Sequence, residues 1–378
     1  MAAGVYLHIP FCKSRCSYCD FATDVYRESG AVERYVDALI AEVEKNPPAH
    51  AGGSLFVDTI YFGGGTPSLL TAEQVDRILR SVRGNFKIAS DAEITMEMNP
   101  ATVTPATLAR YRKLGVNRAS FGVQTFDDRD LRLLARGHDA NDARRTFRML
   151  RDAGFDNVSF DLIAGLPGQT LDNWQRNLDE AIALGPEHMS LYLLEIHEST
   201  PLAEQLRSGR RLMPDEDVAA GMYEMMLDRL ACAGYAQYEI SNFTRPGFES
   251  RHNNKYWQLE PVYGFGVSAH SFDGRERYAN ERDTVKYVEM IETTGTAEVT
   301  RETIDAASEV VFLRLRLKTG VDLEEYRQRF AIDLLVAHAA DIEDLQDKGL
   351  IAIDDDNNVM RLTRKGKLFS NEVFAAFV

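Results

Sequence analysis

The stretch VYLHIPFCKSRCSYCDF, residues 5–21, combines a short apolar segment with three cysteines. Cys12, Cys16 and Cys19 form a C-x-x-x-C-x-x-C run directly after the strand-like residues 5–9. Three thiolates from one short loop can hold three corners of a 4Fe-4S cube and leave the fourth iron without a protein ligand. The run therefore predicts a cluster whose open iron is available for chemistry.

Two other interpretations of the cysteines stay open on spacing alone. Zinc prefers a closed tetrahedron, and His8 could complete a Cys₃His set with the three thiols. The remaining cysteine, Cys232, falls in a methionine-rich helical pattern over residues 221–233. We expect Cys232 to be a buried free thiol rather than a fourth cluster ligand, because unpaired cysteines and methionines are typical of apolar cores.

The composition of the 378-residue chain is that of a folded, acidic protein. Hydrophobic residues make up 44%, and the formal net charge is -15. Nucleic acid binding depends on basic side chains that neutralise phosphates, so we expect small-molecule or protein partners and no nucleic acid. The chain has no signal-peptide pattern and no long apolar run, which predicts a cytoplasmic protein without a transmembrane segment.

Short β-rich segments alternate with amphipathic helical segments over the first part of the chain. Alternation of this kind predicts an α/β fold with a parallel sheet. Six units are too few for an eightfold barrel, so we expect an open, six-unit βα barrel with ligands at the carboxyl ends of its strands. The predicted strands are residues 5–9, 57–62, 93–98, 118–123, 158–163 and 189–194, and the predicted helices are residues 32–44, 72–82, 104–114, 140–153 and 171–184.

The regular alternation is predicted to stop after residue 235. We expect a barrel domain over residues 1–235, a connecting region over 236–302 and a smaller helix-rich, winged-helix-like domain over 303–378. The last of these includes a small hairpin whose turn is the acidic stretch at 354–358. Because that hairpin tip is acidic, we expect a packing or partner module rather than a DNA-binding one.

Polar residues follow several of the predicted strands. Gly63-Gly64-Gly65-Thr66-Pro67 comes directly after the second strand, and Glu97, Gln124 and Asp161 lie at the ends of later ones. Glycines let backbone groups approach a ligand closely, although a glycine run also suits a tight turn. Arg136 is expected in a helical stretch shortly after Gln124. Buried polar groups at strand ends need a partner, so their shared position indicates a polar ligand.

Taken together, these motifs resemble the radical S-adenosylmethionine (SAM) superfamily. The cysteine run, the Gly-Gly-Gly-Thr-Pro loop, Glu97 and the later His252-Asn253-Asn254-Lys255-Tyr256-Trp257 carry the resemblance. Within the superfamily the chain is similar to the HemW haem chaperones over nearly its whole length. The resemblance implies a partial barrel of radical SAM type, a 4Fe-4S cluster, SAM and haem.

The resemblance also implies roles for individual residues. Cys12, Cys16 and Cys19 would bind the cluster, whose open iron chelates SAM. The implied SAM residues are Tyr6, Gly64, Gly65, Thr66, Glu97, Gln124, Arg136 and Asp161. Arg136 would face a carboxylate, and Asp161 would face the ribose hydroxyls or the sulfonium side.

The chemistry that the resemblance implies begins with an electron donor. A reduced cluster passes one electron to the sulfonium, the carbon–sulfur bond breaks, and a deoxyadenosyl radical forms. One alternative function is therefore a radical SAM oxidoreductase that acts on a tetrapyrrole, like the oxygen-independent coproporphyrinogen III oxidases. Those enzymes carry another cysteine two residues after the triplet and a longer amino-terminal extension, whereas Cys19 is followed here by Asp20 and Phe21. Both differences disfavour porphyrinogen decarboxylation, and we assign no catalytic residue.

The similarity to haem chaperones instead predicts a protein that binds haem and delivers it to an acceptor, in the respiratory chain as the family resemblance suggests. His252 is the candidate haem ligand, and Tyr256 and Trp257 would cover the porphyrin. The residues alone favour a structural role, in which His252 and Asn253 cap a turn and Tyr256 and Trp257 fill the domain join. His8, His197 and His270 are rival ligands, and His8 is expected beside the cluster.

Overall fold

A computed structural model describes residues 2–25, 29–46, 55–354 and 356–377. Its main feature is a run of six parallel strands, β1 to β6, in which chain neighbours are also sheet neighbours. The predicted alternation of strands with helices is confirmed. The strands are β1 Ala3–Ile9, β2 Phe56–Gly64, β3 Lys87–Met98, β4 Arg118–Gln124, β5 Val158–Ala164 and β6 His188–Leu193.

Helices pack against the outer face of this sheet. In Ala72–Asn85 the buried residues Val75, Ile78, Leu79 and Val82 recur at helical spacing and join the main apolar core. Thr71 caps this helix, since its side chain accepts a hydrogen bond from Gln74 N. The alternating helices are Ser29–Lys45, Ala72–Asn85, Pro105–Leu114, Ala140–Asp152 and Leu171–Leu184, and the other helices before residue 300 are Pro67–Leu69 (3-10), Asp128–Leu133, Pro201–Arg207, Glu216–Cys232, Arg251–Trp257 and Thr284–Thr294.

The two faces of each barrel strand differ in chemistry. In β4, Ala119, Phe121 and Val123 belong to the apolar core, whereas Arg118 and Gln124 are buried polar residues. Successive strand residues point to opposite faces, so the polar set faces the inside of the barrel. The barrel therefore presents an apolar outside to its helices and a polar inside to a ligand.

Residues after 235 extend the same sheet at both ends. β7 (Ala236–Glu239) and β8 (Asn242–Thr244) lie beside β6, and β9 (Val262–Phe265) pairs in parallel with β1. The outer strands are β10 His270–Phe272, β11 Glu276–Asn280 and β12 Glu298–Thr303. The parallel pairing of β9 with β1 was not predicted, because a four-residue strand is too short to give a periodic pattern. The proposed domain boundaries at 235 and 302 stay predictions.

The carboxyl-terminal part is helix-rich and contains a small hairpin, as predicted. Its apolar cluster also takes in Ile240, Leu259 and Phe272 of the preceding region. The side chain of Arg316 forms an ion pair of 2.7 Å with the fully buried Glu239 side chain, which further ties this part to the main sheet. The elements are the helices Ala306–Leu315, Leu323–Phe330, Leu334–Ala337, Ala339–Asp347, Arg364–Leu368 and Ser370–Ala375 and the strands Val321–Asp322, Ile351–Asp354 and Val359–Leu362.

Two further observations concern single helices. Cys232 is the last residue of Glu216–Cys232 and is exposed, so the prediction of a buried thiol is wrong. The buried face of this helix is set by Met222, Met226 and Leu230, and a residue two positions after Leu230 points away from it.

None of the helices in the described ranges is long and apolar enough to cross a membrane.

Candidate functional site

The three amino-terminal cysteines lie in one loop at the carboxyl end of β1. We call residues 10–25 the cluster loop; its ends pair as the short strands Phe11–Cys12 and Asp24–Val25. Cys12, Cys16 and Cys19 are free thiols and are half-buried. Burial raises the pKa of the Cys12 thiol to about 11. The Cys12 thiol is therefore protonated in the metal-free protein, and binding to iron would release its proton.

The glycine run after β2 packs directly against the cluster loop. Gly65 N donates to Ile9 O at 2.8 Å and Thr66 N donates to Phe11 O at 2.8 Å. A Cβ atom on Gly64, which has φ of 106°, would lie 2.6 Å from His8 Cε1, and one on Gly65 would lie 2.6 Å from Pro10 O. Glycine is therefore required for this approach, which brings backbone groups to the edge of the cluster loop.

Glu97 connects the glycine run to the inside of the barrel. Its Oε2 accepts a hydrogen bond from Gly64 N at 3.1 Å, and its Oε1 accepts one from Tyr61 Oη at 2.7 Å. Burial, together with the charge of Asp161, raises the pKa of Glu97 to about 7. Burial likewise raises the pKa of Asp161 to about 6. Two buried carboxyl groups thus lie close enough to raise each other's cost of ionisation, which suits a cationic or hydroxyl-rich ligand.

Arg136 lies in the turn after Asp128–Leu133, so its predicted helical position is wrong. Its Nη2 donates to Asn99 Oδ1 at 2.6 Å and to Gly122 O at 2.7 Å, and its Nη1 lies 3.5 Å from Cys16 Sγ. The buried Nε has no hydrogen-bond partner among the described residues. An unpaired guanidinium donor beside the cluster loop suits a carboxylate ligand.

Gln124 lies at the end of β4 with a φ of 67°, a conformation that non-glycine residues rarely adopt. Its amide folds back over Gly122, where a Cβ would lie 2.4 Å from Nε2 and 3.3 Å from Arg136 Nη2. The structure therefore brings Gln124 and Arg136 together. Sequence analysis missed Asn99, which donates to Thr66 Oγ1 at 2.7 Å and accepts from Arg136. Its position two residues after Glu97, directly after the end of β3, was an available signal.

Tyr6 lies on the inner face of β1, close to the same residues. Its hydroxyl is 3.1 Å from His8 Nδ1, and its ring stacks on Tyr61 with centroids 6.1 Å apart. His8 Nε2 is 2.9 Å from Ala22 O. Both ring nitrogens of His8 are thus engaged, which disfavours His8 as a zinc ligand and agrees with its expected place beside the cluster loop.

Comparisons with known proteins decide what this site belongs to. The family model of the radical SAM superfamily matches residues 6–181, and that of the HemN C-terminal domain matches residues 302–369. The haem chaperone HemW of Bacillus subtilis is 37% identical over 381 residues, which cover 99% of this chain and 99% of that protein. This chain belongs to the HemW family of radical SAM proteins.

Other HemW relatives and one solved structure agree with this family. The haem chaperone HemW of Escherichia coli is 38% identical over 71% of this chain and 69% of its own length. The structure of coproporphyrinogen III oxidase (HemN) from Escherichia coli, a radical SAM enzyme, matches with a TM-score of 0.87 at 26% identity, covering 100% of this chain and 90% of that chain. The predicted partial barrel of radical SAM type is confirmed.

Radical SAM membership implies a 4Fe-4S cluster and SAM, and the residues of this HemW-family protein fit both. The cluster loop supplies three thiols, the glycine run packs its backbone against that loop, and Arg136 keeps an unpaired buried donor. The fit therefore rests on the donor set of the site itself.

His252 of the HemW-family sequence H-N-N-K-Y-W lies elsewhere in the barrel. The short helix Arg251–Trp257 lies at the amino end of β1. Glu93, midway along β3, accepts hydrogen bonds from Arg251 N and His252 N, and it is level with Thr59 of β2 and Gly4 of β1. His252 is 1% exposed, its Nδ1 is 2.9 Å from Thr59 Oγ1, and its Nε2 is 3.2 Å from Tyr256 Oη. Burial lowers the pKa of His252 to about 3.

The cluster loop and His252 are thus at opposite ends of the barrel strands, with aromatic rings between them. The His252 ring stacks on Tyr61 with centroids 5.0 Å apart, and Tyr61 is the residue that donates to Glu97. Trp257 packs under Arg316, whose guanidinium carbon lies 4.6 Å from the ring centroid. Tyr256 is 38% exposed, so its ring borders open space.

Proposed function

We propose that this protein is a haem chaperone that holds a 4Fe-4S cluster and SAM, binds haem and passes it to an acceptor protein. The observation that carries the proposal is the cluster loop with three free thiols beside a glycine run, in a chain that is 37% identical over its length to a haem chaperone. We further propose that it works in the cytoplasm, with an electron donor for the cluster and an acceptor in the respiratory chain.

In this proposal the residues at the carboxyl ends of the strands bind the two cofactors. Cys12, Cys16 and Cys19 hold the cluster, and the SAM residues are those predicted, namely Tyr6, Gly64, Gly65, Thr66, Glu97, Gln124, Arg136 and Asp161. When bound, the reduced cluster supplies the electron that cleaves SAM. Arg136 orients a carboxylate through its unpaired Nε, and Glu97 and Asp161 stabilise positive charge or hydroxyl groups.

Four histidines are candidates for the haem ligand, and their surroundings differ. The assignment to His252 rests on resemblance, and it requires the ring to leave Thr59 and Tyr256 and to move out from beside Tyr61. His8 would have to give up hydrogen bonds at both ring nitrogens. The side chain of His197 is 42% exposed, and His270 is exposed, so these two imidazoles reach iron without rearrangement.

The second candidate function is oxidation of a tetrapyrrole, which the similarity to the Escherichia coli oxidase favours. Where such oxidases carry an additional cysteine, this chain has Phe21, whose side chain cannot ligate iron. Phe21 is 67% exposed beside the cluster loop cysteines. That difference supports chaperone over oxidase.

One experiment separates the two functions. The anaerobically reconstituted protein is titrated with haem and then mixed with a haem-free b-type protein, and release of carbon dioxide from coproporphyrinogen is measured in parallel with reductant and SAM. The chaperone proposal expects stoichiometric haem binding, transfer to the haem-free protein and no carbon dioxide. Release of carbon dioxide, or no retained haem after gel filtration, would overturn it.

A further inference from the structure

The histidine at the start of β10, His270, differs from the other candidate ligands. It is exposed, and its ring nitrogens make no hydrogen bond or ion pair within the described ranges 2–25, 29–46, 55–354 and 356–377. By contrast His188, like His8 and His252, is buried with both nitrogens engaged, at 2.8 Å from Ser159 Oγ and 2.8 Å from Tyr238 Oη. His270 therefore offers an imidazole lone pair without the cost of breaking a buried network.

Strand register places His270 on the same face of the sheet as the SAM residues. Tyr6 in β1 is opposite Gly264 in β9, and Val262, two residues before Gly264, is opposite Phe272 in β10. Because side chains alternate along a strand, Tyr6, Val262, Phe272 and His270 all project from the inner face. Two strand spacings separate β1 from β10, which puts His270 about 10 Å from the Tyr6 strand.

The residue between Tyr6 and His270 on this face is Gly264. A Cβ there would lie 2.4 Å from the carbonyl oxygen of His270, so only glycine allows β10 to pack this closely against β9. Next to His270 on β11 is Ala279, which is also small. No large side chain from either neighbouring strand therefore stands directly beside the imidazole.

The charges around His270 suit a neutral imidazole next to an anionic ligand group. Burial, together with the charges of Arg277 and Arg282, lowers the pKa of His270, and a neutral imidazole is the form that binds metal. Arg277 Nη1 and Nη2 donate hydrogen bonds to the two carboxylate oxygens of Glu309 at 2.9 and 2.6 Å. Arg282 has a 65% exposed side chain, and its closest partner is the Asp20 carbonyl oxygen at 2.7 Å. Both this hydrogen bond and the 3.8 Å ion pair with Asp20 Oδ1 use Nη2, so Nε and Nη1 have no hydrogen-bond partner among the described residues and are available to a carboxylate.

The third group, after the imidazole of His270 and the guanidinium of Arg282, is an exposed aromatic ring. Phe21 follows Asp20 directly and is 67% exposed, which is unusual for a phenylalanine. The hydrogen bond from Arg282 to Asp20 fixes the cluster loop against the end of β11, on the side where His270 stands. An imidazole, a cation and an exposed ring are the groups that an iron atom, a propionate and a porphyrin plane would contact.

We propose that His270 is the protein ligand of the haem iron and that Arg282 binds a haem propionate. This inference rests on the proposed haem binding. It places haem at the mouth of the barrel next to the cluster loop, whereas the sequence-based assignment to His252 would place it at the amino end of β1. Phe21 then shields one side of the porphyrin from water.

The first test compares single histidine variants by haem titration and by the visible and electron paramagnetic resonance spectra of the ferric complex. We expect His270→Ala to weaken haem binding at least tenfold and to change the ligand signature. Added imidazole should restore the signature, which a merely structural loss would not allow. His338→Ala, at a half-buried histidine of the carboxyl-terminal part, is the matched control and should bind haem like the parent.

The outcomes separate failure of the ligand assignment from failure of the function. If His270→Ala keeps the parent spectrum and affinity while His252→Ala or His197→Ala loses them, the assignment to His270 is wrong but haem binding stands. If the parent protein itself retains no haem, the proposed function fails. Under our proposal His252→Ala keeps the haem signature and lowers the melting temperature, because Thr59 and Tyr256 lose a buried partner.

The second test uses haem dimethyl ester, whose propionates carry no charge. We expect the parent to bind haem several-fold more tightly than the ester and Arg282→Ala to lose this preference. Arg282→Lys should keep part of the preference because it keeps the charge. Equal affinities of the parent for haem and ester would exclude Arg282 as a propionate ligand.

Discussion

The hydroxyl of Tyr61 donates a 2.7 Å hydrogen bond to Oε1 of Glu97. The other oxygen of Glu97 accepts from Gly64 N, and the ring of Tyr61 stacks on His252. One side chain thus connects the glycine run at the carboxyl end of the barrel to the helix at the amino end of β1. We infer that Tyr61 positions Glu97 for SAM.

Tyr61→Phe tests this relationship. The variant keeps the ring stack but removes a donor from Glu97, so the pKa of Glu97 rises further and its carboxylate is less available. We expect SAM to bind about fivefold more weakly, which corresponds to one hydrogen bond of about 1 kcal/mol. The measurement is equilibrium dialysis of SAM against the cluster-loaded protein. Tyr111→Phe is the matched control, since Tyr111 donates a buried 2.6 Å hydrogen bond to Leu70 O and does not touch the site. Equal SAM affinity in parent and Tyr61→Phe would refute the positioning role.

Cys16→Ser should abolish the cluster. A hydroxyl is a poor ligand for iron in such a cube, and two remaining thiols hold it weakly. Iron and acid-labile sulfide after anaerobic reconstitution are expected to fall to background, together with the visible absorbance of the cluster. Cys232→Ser, at the exposed end of a distant helix, should keep both at the parent level. Retention of the cluster in Cys16→Ser would contradict the ligand set.

Gly64→Ala should disrupt the SAM site through packing. The new Cβ would lie 2.6 Å from His8 Cε1, and the residue would keep a φ of 106° that alanine rarely adopts. We expect SAM affinity to fall at least tenfold as the glycine run moves away from the cluster loop. Gly84→Ala is the control, because a Cβ there meets no atom within 4 Å and alanine favours the helix that contains it. Parent-like affinity in Gly64→Ala would show that the run does not approach the ligand.

Glu42 predicts a pH dependence of stability. Its carboxyl accepts hydrogen bonds from Gly266 N, Tyr287 Oη and Asn280 Nδ2, but burial dominates and raises its pKa to about 7. The folded state therefore binds a proton more tightly than the unfolded chain. The stabilisation that protonated Glu42 gives to the folded state is fully present below the pKa of Glu42 in the unfolded chain, and it is lost as pH rises through about 7. It amounts to about 1.4 kcal/mol for each unit by which the folded and unfolded pKa values differ.

Denaturant unfolding at several pH values between about 4 and 8 measures this effect. The free energy of unfolding of Glu42→Gln should decline less with pH than that of the parent. Glu44→Gln, on the exposed face of the same helix, should follow the parent curve. If the free energy of unfolding depends on pH with the same slope in the parent and both variants, Glu42 is not the source of the pH dependence.

Local patterns in the sequence were sufficient to predict the strands and helices of the barrel and to mark the cysteine run and the glycine run as candidate cofactor loops. Strand and helix periodicity reflects burial of one face, so the six strands could be predicted. Each of these two motifs, the cysteine run and the glycine run, lies within a single loop, so each can be recognised from the sequence without the tertiary structure. The contacts of Arg136 could not be predicted from such local patterns, because its neighbours Cys16 and Asn99 are 120 and 37 residues away in sequence.

Burial and pairing of distant segments were decided only by the tertiary structure. The sequence marked His252 and His270 as candidate haem ligands. In the structure His252 is buried between Thr59 and Tyr256, whereas His270 is exposed and has no hydrogen-bond partner among the described residues. The sequence likewise marked Cys232 as a core thiol, although the helix turns it to solvent. Sequence determined which chemical groups are present and how neighbours along the chain fold. Which groups meet and which reach solvent depended on contacts across hundreds of residues, which no local pattern encodes.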